Sequence, residues 1–424
     1  MDIQSFMTKL ADCYQNENGM ELGRLLRLDR PHGRELLKEF GRRDPSEYAA
    51  HDLKKRWKNE IANPWDELGI QYVVVCAHVK RKRVVDAFGE QEVLVRKFFE
   101  YFAQNCGWTL PILFSVLEGL MSLAHDGPSF EKVAIMIEEA LRLCIADTKS
   151  PPEKSRKWGA YAVFALALKS SLRAKRAPLC RAALRTLIKA VDMPPFDVYP
   201  RSHRVTYWYY RGKLHFQERD YKQVDLETHL GDLPLVLRYR VQAEESFTKA
   251  FYHCHNDATK NKERILLYLI PLRMLKGHLP ASELLLRFPD IDEVFTPLVW
   301  AIRAGDLKAY DQVLEEGKLR FLPLGLWLVV QRSRDLCLRS LFRKVWLSCG
   351  ELRIPVTTFQ TGLRTIGVDV DVSQVACYVG LMLHKGFMAG HIIHEGNTVT
   401  VALQQFDPFP KAAAARPCSV PVTL

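Results

Sequence analysis

Apolar residues recur three and four positions apart through one segment of this chain after another, with short breaks between. "VLVRKFFEYF" (93–102), "PILFSVLEGLMSLA" (111–124) and "VAIMIEEALRLCIA" (133–146) each carry that spacing, which lays one apolar stripe along a helix. The breaks hold Gly107, Gly127–Pro128 and Pro151–Pro152; glycine and proline stop helices there. A second series runs from "KWGAYAVFALAL" through "LCRAALRTLIKAV" to "VTYWYYRGKLHF". Short helices of this kind cannot bury an apolar face alone. The pattern therefore predicts an all-α helical-repeat solenoid of tetratricopeptide-like helix pairs.

"VTYWYYRGKLHF" (205–216) sets four adjacent aromatics among Arg204, Arg211 and Lys213. Such interleaving suits either base stacking or a repeat interior. At ~100° per residue, Val205, Trp208, Tyr209, Gly212 and Phe216 share one face, and Tyr207, Tyr210 and Leu214 form a second stripe opposite. A helix apolar on two faces lies between neighbours. The aromatics are assigned to the core, and only the basic edge of Arg204 and Arg211 is left as a contact surface.

Beyond "FQERDYKQ" the helical pattern fails over 224–242, "VDLETHLGDLPLVLRYRVQ", which carries Gly231 and Pro234. Removing that segment joins "RDYKQ" to "AEESFTKAF" and places Tyr221, Ala243, Phe247 and Ala250 at helical spacing. The segment opens with Val, whose codons begin GT, and closes with Gln, one of whose codons ends AG. It reads as an in-frame retained intron, or alternatively as a natural loop extension, since surface insertions cost little.

From about residue 336 the signals change. "LCLRSLFRKVWL" and "VTTFQTGLRTI" are two helices, and "VSQVACYVGLMLHKG" is a third, with Ser373 as N-cap and Gly386 as stop. "MAGHIIH", a turn at "EGN", and the alternating "TVTVAL" form a β-hairpin. Three helices and a two-stranded wing make a winged helix. The division expected is 1–150, an N-terminal helical region; 151–335, a helical-repeat subdomain interrupted at 224–242; 336–406, the winged helix; and 407–424, a disordered tail rich in proline and alanine.

The formal net charge of +11 favours acidic partners. Ten cysteines are scattered singly, mostly in apolar runs and without a Cys-x-x-Cys pair, which suits a reducing compartment. No apolar stretch is long enough to span a bilayer. Lys80–Arg83, "KRKR", reads as a localisation signal or, more simply, as a solvated helical face. "HCH" at 253–255 places its cysteine away from both histidines on a helix, and no phosphate loop or nucleophile–base signature is present. No cofactor or metal and no enzymatic activity is expected.

In "QRSRDLCLRSLFRKVWL", Arg332, Arg339 and Arg343 fall within about 40° of one another on a helix, with Leu338, Leu341 and Val345 opposite. Arg334 and Lys344 flank that stripe, and Arg353 and Arg364 are candidate rim contacts. The third helix of the winged helix ends in His384 and Lys385 and is otherwise poor in cations. Backbone-directed, weakly sequence-specific nucleic-acid binding is expected, not base reading.

Helical repeats running into a C-terminal winged helix are the architecture of the PCI domain. "SRKWGAYAVFALAL", "LCRAALRTLIKAVD", "RVTYWYYRGKLHFQERDYKQ", "CHNDATKNKERILLYLIPLRMLKGHLP" and "VDVDVSQVACYVGLMLHKGFMAGHIIHEGNTVTVALQQFDPFP" resemble the PCI domain-containing protein 2 family, the Thp-type subunits of transcription-and-export complex 2. The resemblance covers roughly 1–410 and is weakest before 90; the alanine-rich 159–176 and the 224–242 segment depart from it. It implies a scaffold subunit in the nucleus and at nuclear pores, with the cytoplasm as a second compartment. It also implies docking to a large GANP/Sac-type protein, capture of a small acidic disordered subunit shared with the proteasome lid, and contact with RNA or DNA. Arg201, Arg204, Arg211, Lys260 and Lys262 form the basic edge expected to attract the acidic subunit. The alternative is a PCI subunit of a signalosome-like or proteasome-lid-like assembly with protein contacts only.

Overall fold

The computed structural model describes residues 3–29, 61–217, 235–395 and 398–412. The chain divides into two compact units, Met1–Glu218 and Arg219–Leu424.

The first unit is built from α1 (Ile3–Gln15), α2 (Gly19–Leu25), α3 (Trp65–Lys80), α4 (Val84–Gln104), α5 (Leu110–Leu123), α6 (Gly127–Ile145), α7 (Ala160–Arg173), α8 (Ala177–Ile188) and α9 (Arg201–Gln217). Neighbours in sequence pack on one another: α3 on α4, α4 on α5, α6 on α7, and α7 on both α8 and α9. Local chemistry sets the boundaries. Asp126 caps α6 by accepting from the Ser129 N–H at 2.8 Å, and Pro128 sits in the first turn, where its missing donor costs nothing. Phe6, Trp65, Tyr72, Phe98, Phe102 and Phe164 are fully buried and form the centre of this unit's core.

The second unit opens with α10 (Leu235–His253), α11 (Thr259–Met274), α12 (Ser282–Leu286), α13 (Pro289–Ala304), α14 (Leu307–Glu316) and α15 (Lys318–Leu324). It continues through α16 (Trp327–Cys349), β1 (Arg353–Pro355), α17 (Val356–Thr365), α18 (Val372–His384), β2 (Gly390–Glu395) and β3 (Thr398–Leu403). The strands form an antiparallel sheet of order β1-β3-β2, in which Ile354 and Ile392 both pair with Val401. The Phe342 and Phe359 rings, 4.9 Å apart, join α16 to α17. Helix pairs ending in a winged helix, the architecture implied by the sequence, are what this unit contains.

Several details differ from the sequence reading. The wing has a third strand, β1, whose three residues are too few to show alternation and end in a proline. Asp371, not Ser373, caps α18, because its carboxylate accepts from the Gln374 N–H at 2.9 Å; Gly386 does stop that helix, at φ +72°. The boundary placed at 336 falls inside α16, and the one at 150 falls inside the first unit. Of the segment 224–242, residues 224–234 lie outside the described residues, whereas 235–242 belong to α10. Pro234 is the last breaker there, and the residues after it propagate helix into Ala243. Residues 407–412, expected to be tail, are packed: Phe409 is buried with its ring 5.7 Å from Trp346, and Pro408 accepts a backbone bond from Ala389 at 2.9 Å. The rest of the expected tail lies outside the described residues.

Candidate nucleic-acid and partner surfaces

Helix α16 carries most of the candidate cations, and its packing sorts them. Leu338 and Leu341 are buried, while Arg332 and Arg343 are exposed on the opposite side. Eleven residues separate them, so they stand nearly in line and about 16 Å apart along the axis. Arg339, midway, is not part of that surface. Its guanidinium donates to the Phe409 carbonyl at 2.8 Å and the Pro410 carbonyl at 2.6 Å. Burial, with Arg343 nearby, pushes its pKa below the usual arginine value.

Arg334 and Lys344 are committed in the same way. Arg334 makes a bidentate pair with Asp311 of α14, at 2.6 and 2.8 Å. The Lys344 ammonium donates to the Ala304 carbonyl at 2.7 Å and so satisfies an orphan acceptor at the end of α13. Asp335, the acid next to Arg334 in sequence, pairs instead with Lys385 at 2.5 Å. Asp311 was invisible because it comes from another helix. Of the proposed rim, Arg353 is exposed at the start of β1, and Arg364 is exposed but paired with Asp369 at 3.0 Å. The exposed positions of α18 are Val372, Ser373, Gln374, Cys377 and His384. None is an arginine or lysine able to read a base edge by a bidentate or point contact.

The basic edge assigned to an acidic partner falls in both units, and each part is taken alone. In the first unit, Arg201 is exposed. Arg204 is largely buried, its side chain 20% exposed and 3.8 Å from Asp197. Arg211 lies over the Trp208 and Tyr207 rings, at 5.2 and 5.9 Å, and donates to His215 at 3.3 Å. Burial, with Arg211 beside it, lowers the pKa of His215 to about 4; burial also lowers that of His203. Neither histidine therefore adds charge near pH 7.

The aromatic assignment is clearer. Tyr207 and Tyr210 pack on the core of their unit, and Tyr207 meets Tyr161, Phe196 and Phe164 at 5.1, 5.2 and 5.6 Å. These rings are structural, and Tyr207 with Trp208 holds Arg211 down. In the second unit, Lys260 is exposed but Lys262 is not available. Lys262 is buried, donates to Asn256 at 2.7 Å and sits 5.1 Å above the Phe251 ring, because its place in the first turn of α11 turns it inward. At 253–255, Cys254 is buried while both histidines are exposed, so the three do not converge.

No family model matches the chain. The CSN12 homologue of Schizosaccharomyces pombe is 29% identical, over 97% of this chain and 98% of its own length. The CSN12 homologue of Gibberella zeae is 35% identical over 63% of this chain and 58% of its own length. The PCI domain-containing protein 2 of Xenopus laevis is 26% identical over 96% of this chain and 97% of its own. Relatives bearing these names extend through vertebrates, fly, worm and fungi. With helix pairs ending in a winged helix, the chain is a homologue of the proteins named PCI domain-containing protein 2 and CSN12 homologue.

Proposed function

We propose that the chain is a non-enzymatic scaffold subunit of a nuclear, transcription-coupled mRNA export complex. In this reading it docks on a large GANP/Sac-type protein, holds a small acidic disordered subunit, and touches RNA through the winged helix. The observation that carries the nucleic-acid part is the exposed pair Arg332 and Arg343 on α16, beside a third helix with no exposed arginine or lysine. Cations spaced along one helix suit successive phosphates, and a neutral third helix suits contact without base reading. Arg353 extends the same chemistry at β1. The name CSN12 homologue, borne by several relatives, favours a second reading: a PCI subunit of a signalosome-like or proteasome-lid-like assembly with protein contacts only.

Binding of unrelated single-stranded RNAs tests this. Arg332→Glu with Arg343→Glu should weaken all of them alike and flatten the slope of log affinity against log salt by about 0.7 per lost phosphate contact. Arg334→Ala and Arg339→Ala remove packing contacts instead, so they should lower stability more than they change the salt slope. Unchanged affinity and slope in the folded double variant would place the contact elsewhere. A parent protein without salt-dependent RNA binding would favour the second reading.

A further inference from the structure

The first unit holds a cavity of about 340 Å³ apart from the surfaces above, lined by Glu17, Trp108, Leu110, Glu153, Lys154 and Trp158 among others. Three segments build it: the turn after α1, the start of α5, and the connection from α6 to α7. They are fixed to one another. A Cβ on Gly107 would stand 2.8 Å from the Lys154 carbonyl oxygen and 2.9 Å from that of Ser155, so two backbones touch there. The Trp158 indole N–H donates to the Pro152 carbonyl at 2.8 Å, and its ring lies 5.2 Å from Tyr199. Trp108 meets Tyr101 edge-on at 6.3 Å. Both indoles remain half-exposed while lining the cavity.

The charge is the informative part. Glu17 and Glu153 are exposed, and neither has an ion-pair partner among the described residues. Lys154 is the single cation in the lining. A carboxylate-bearing aromatic hollow is out of keeping with a chain of formal charge +11. Indole faces attract a cation through their quadrupole and shelter an aliphatic stem, and unpaired carboxylates supply the opposite charge. An anion would meet both carboxylates. The volume falls within the span of small-ligand sites, about 300–1,000 Å³, which is room for one long side chain.

We propose that this cavity captures an arginine side chain from an extended basic segment of a partner protein. Arginine fits better than lysine, since a planar guanidinium stacks on indole and donates to carboxylates as a fork.

The test uses the full chain and fluorescein-labelled Arg-Gly-Gly repeat peptides, with Lys-Gly-Gly and Glu-Gly-Gly peptides of equal length as arms, read by anisotropy. The arginine peptide should bind tightest and the glutamate peptide least. Glu17→Gln with Glu153→Gln, both at exposed positions, should weaken arginine-peptide binding about tenfold. Lys154→Glu should tighten it severalfold, and Trp158→Phe, which keeps a ring against Tyr199, should weaken it about threefold. Lysine peptide binding as tightly as arginine peptide would overturn the guanidinium assignment. Unchanged arginine-peptide binding in the double glutamine variant would overturn the site itself.

Discussion

Gly305→Ala should destabilise the second unit by about 3 kcal/mol, the sum of a left-handed backbone penalty and a forced displacement of a packed helix. Gly305 closes α13 at φ +73° and ψ 24°. A Cβ there would stand 2.8 Å from the Leu341 nitrogen and 2.9 Å from its Cα. The obstacle is backbone of α16, which cannot rotate aside as a side chain would. Gly350, which closes α16 at φ +70°, has nothing within 4 Å of its added Cβ. Gly350→Ala therefore carries only the conformational penalty, about 1–2 kcal/mol. Urea unfolding of the two variants separates the terms, and equal losses would show that α13 and α16 do not approach as closely as described. Because α16 bears Arg332 and Arg343, the same glycine fixes where the candidate phosphate contacts stand.

Asp147→Asn should cost about 3 kcal/mol or more, since it leaves a buried arginine without its counter-charge. The Asp147 side chain is 2% exposed and that of Arg156 is 8% exposed, with 3.7 Å between them. One carboxylate oxygen accepts from the Ser155 hydroxyl at 3.0 Å and the Arg156 N–H at 2.8 Å; the other accepts from the Ser150 N–H at 3.1 Å. Arg156 in turn donates to the Phe102 carbonyl at 2.7 Å. An asparagine would turn a donor toward one set of these donors. Burial alone would raise the Asp147 pKa, but the Arg156 and Ser150 hydrogen bonds outweigh it and hold the group at about 2. An aspartate folded at that value and unfolded near ~3.9 stabilises the native state above about pH 4 and loses that contribution as pH falls toward 2. Between pH 5 and pH 3 the gap in melting temperature between wild type and Asp147→Asn should shrink. A gap constant with pH would contradict the ionised network.

Elements with a strong internal period were legible in the sequence. The helix pairs, the β-hairpin of the wing and the inward set of Tyr207 and Tyr210 each repeat a pattern within a few residues. What one segment does to another was not legible. Arg339 stands on the expected stripe, but Phe409 and Pro410, seventy residues on, turn it inward through their carbonyls. Arg334 looked free until α14 brought Asp311 to it, and Lys262 looked exposed until the loop before α11 brought Asn256. Helical angle gives the direction in which a side chain leaves its own helix. Which carbonyl or carboxylate waits there depends on tertiary packing. The cavity between Trp108 and Trp158 escaped for the same reason, its walls being fifty residues apart.

The proposed role is that of the scaffold subunit of an export assembly. Purification of the tagged chain from nuclei at moderate salt, followed by mass identification of its stoichiometric partners, tests that most directly. The expected result is one large GANP/Sac-type protein and one small acidic protein, with RNA retained in the complex and released by salt. Recovery instead of a set of signalosome-like or lid-like PCI subunits, free of RNA, would contradict it.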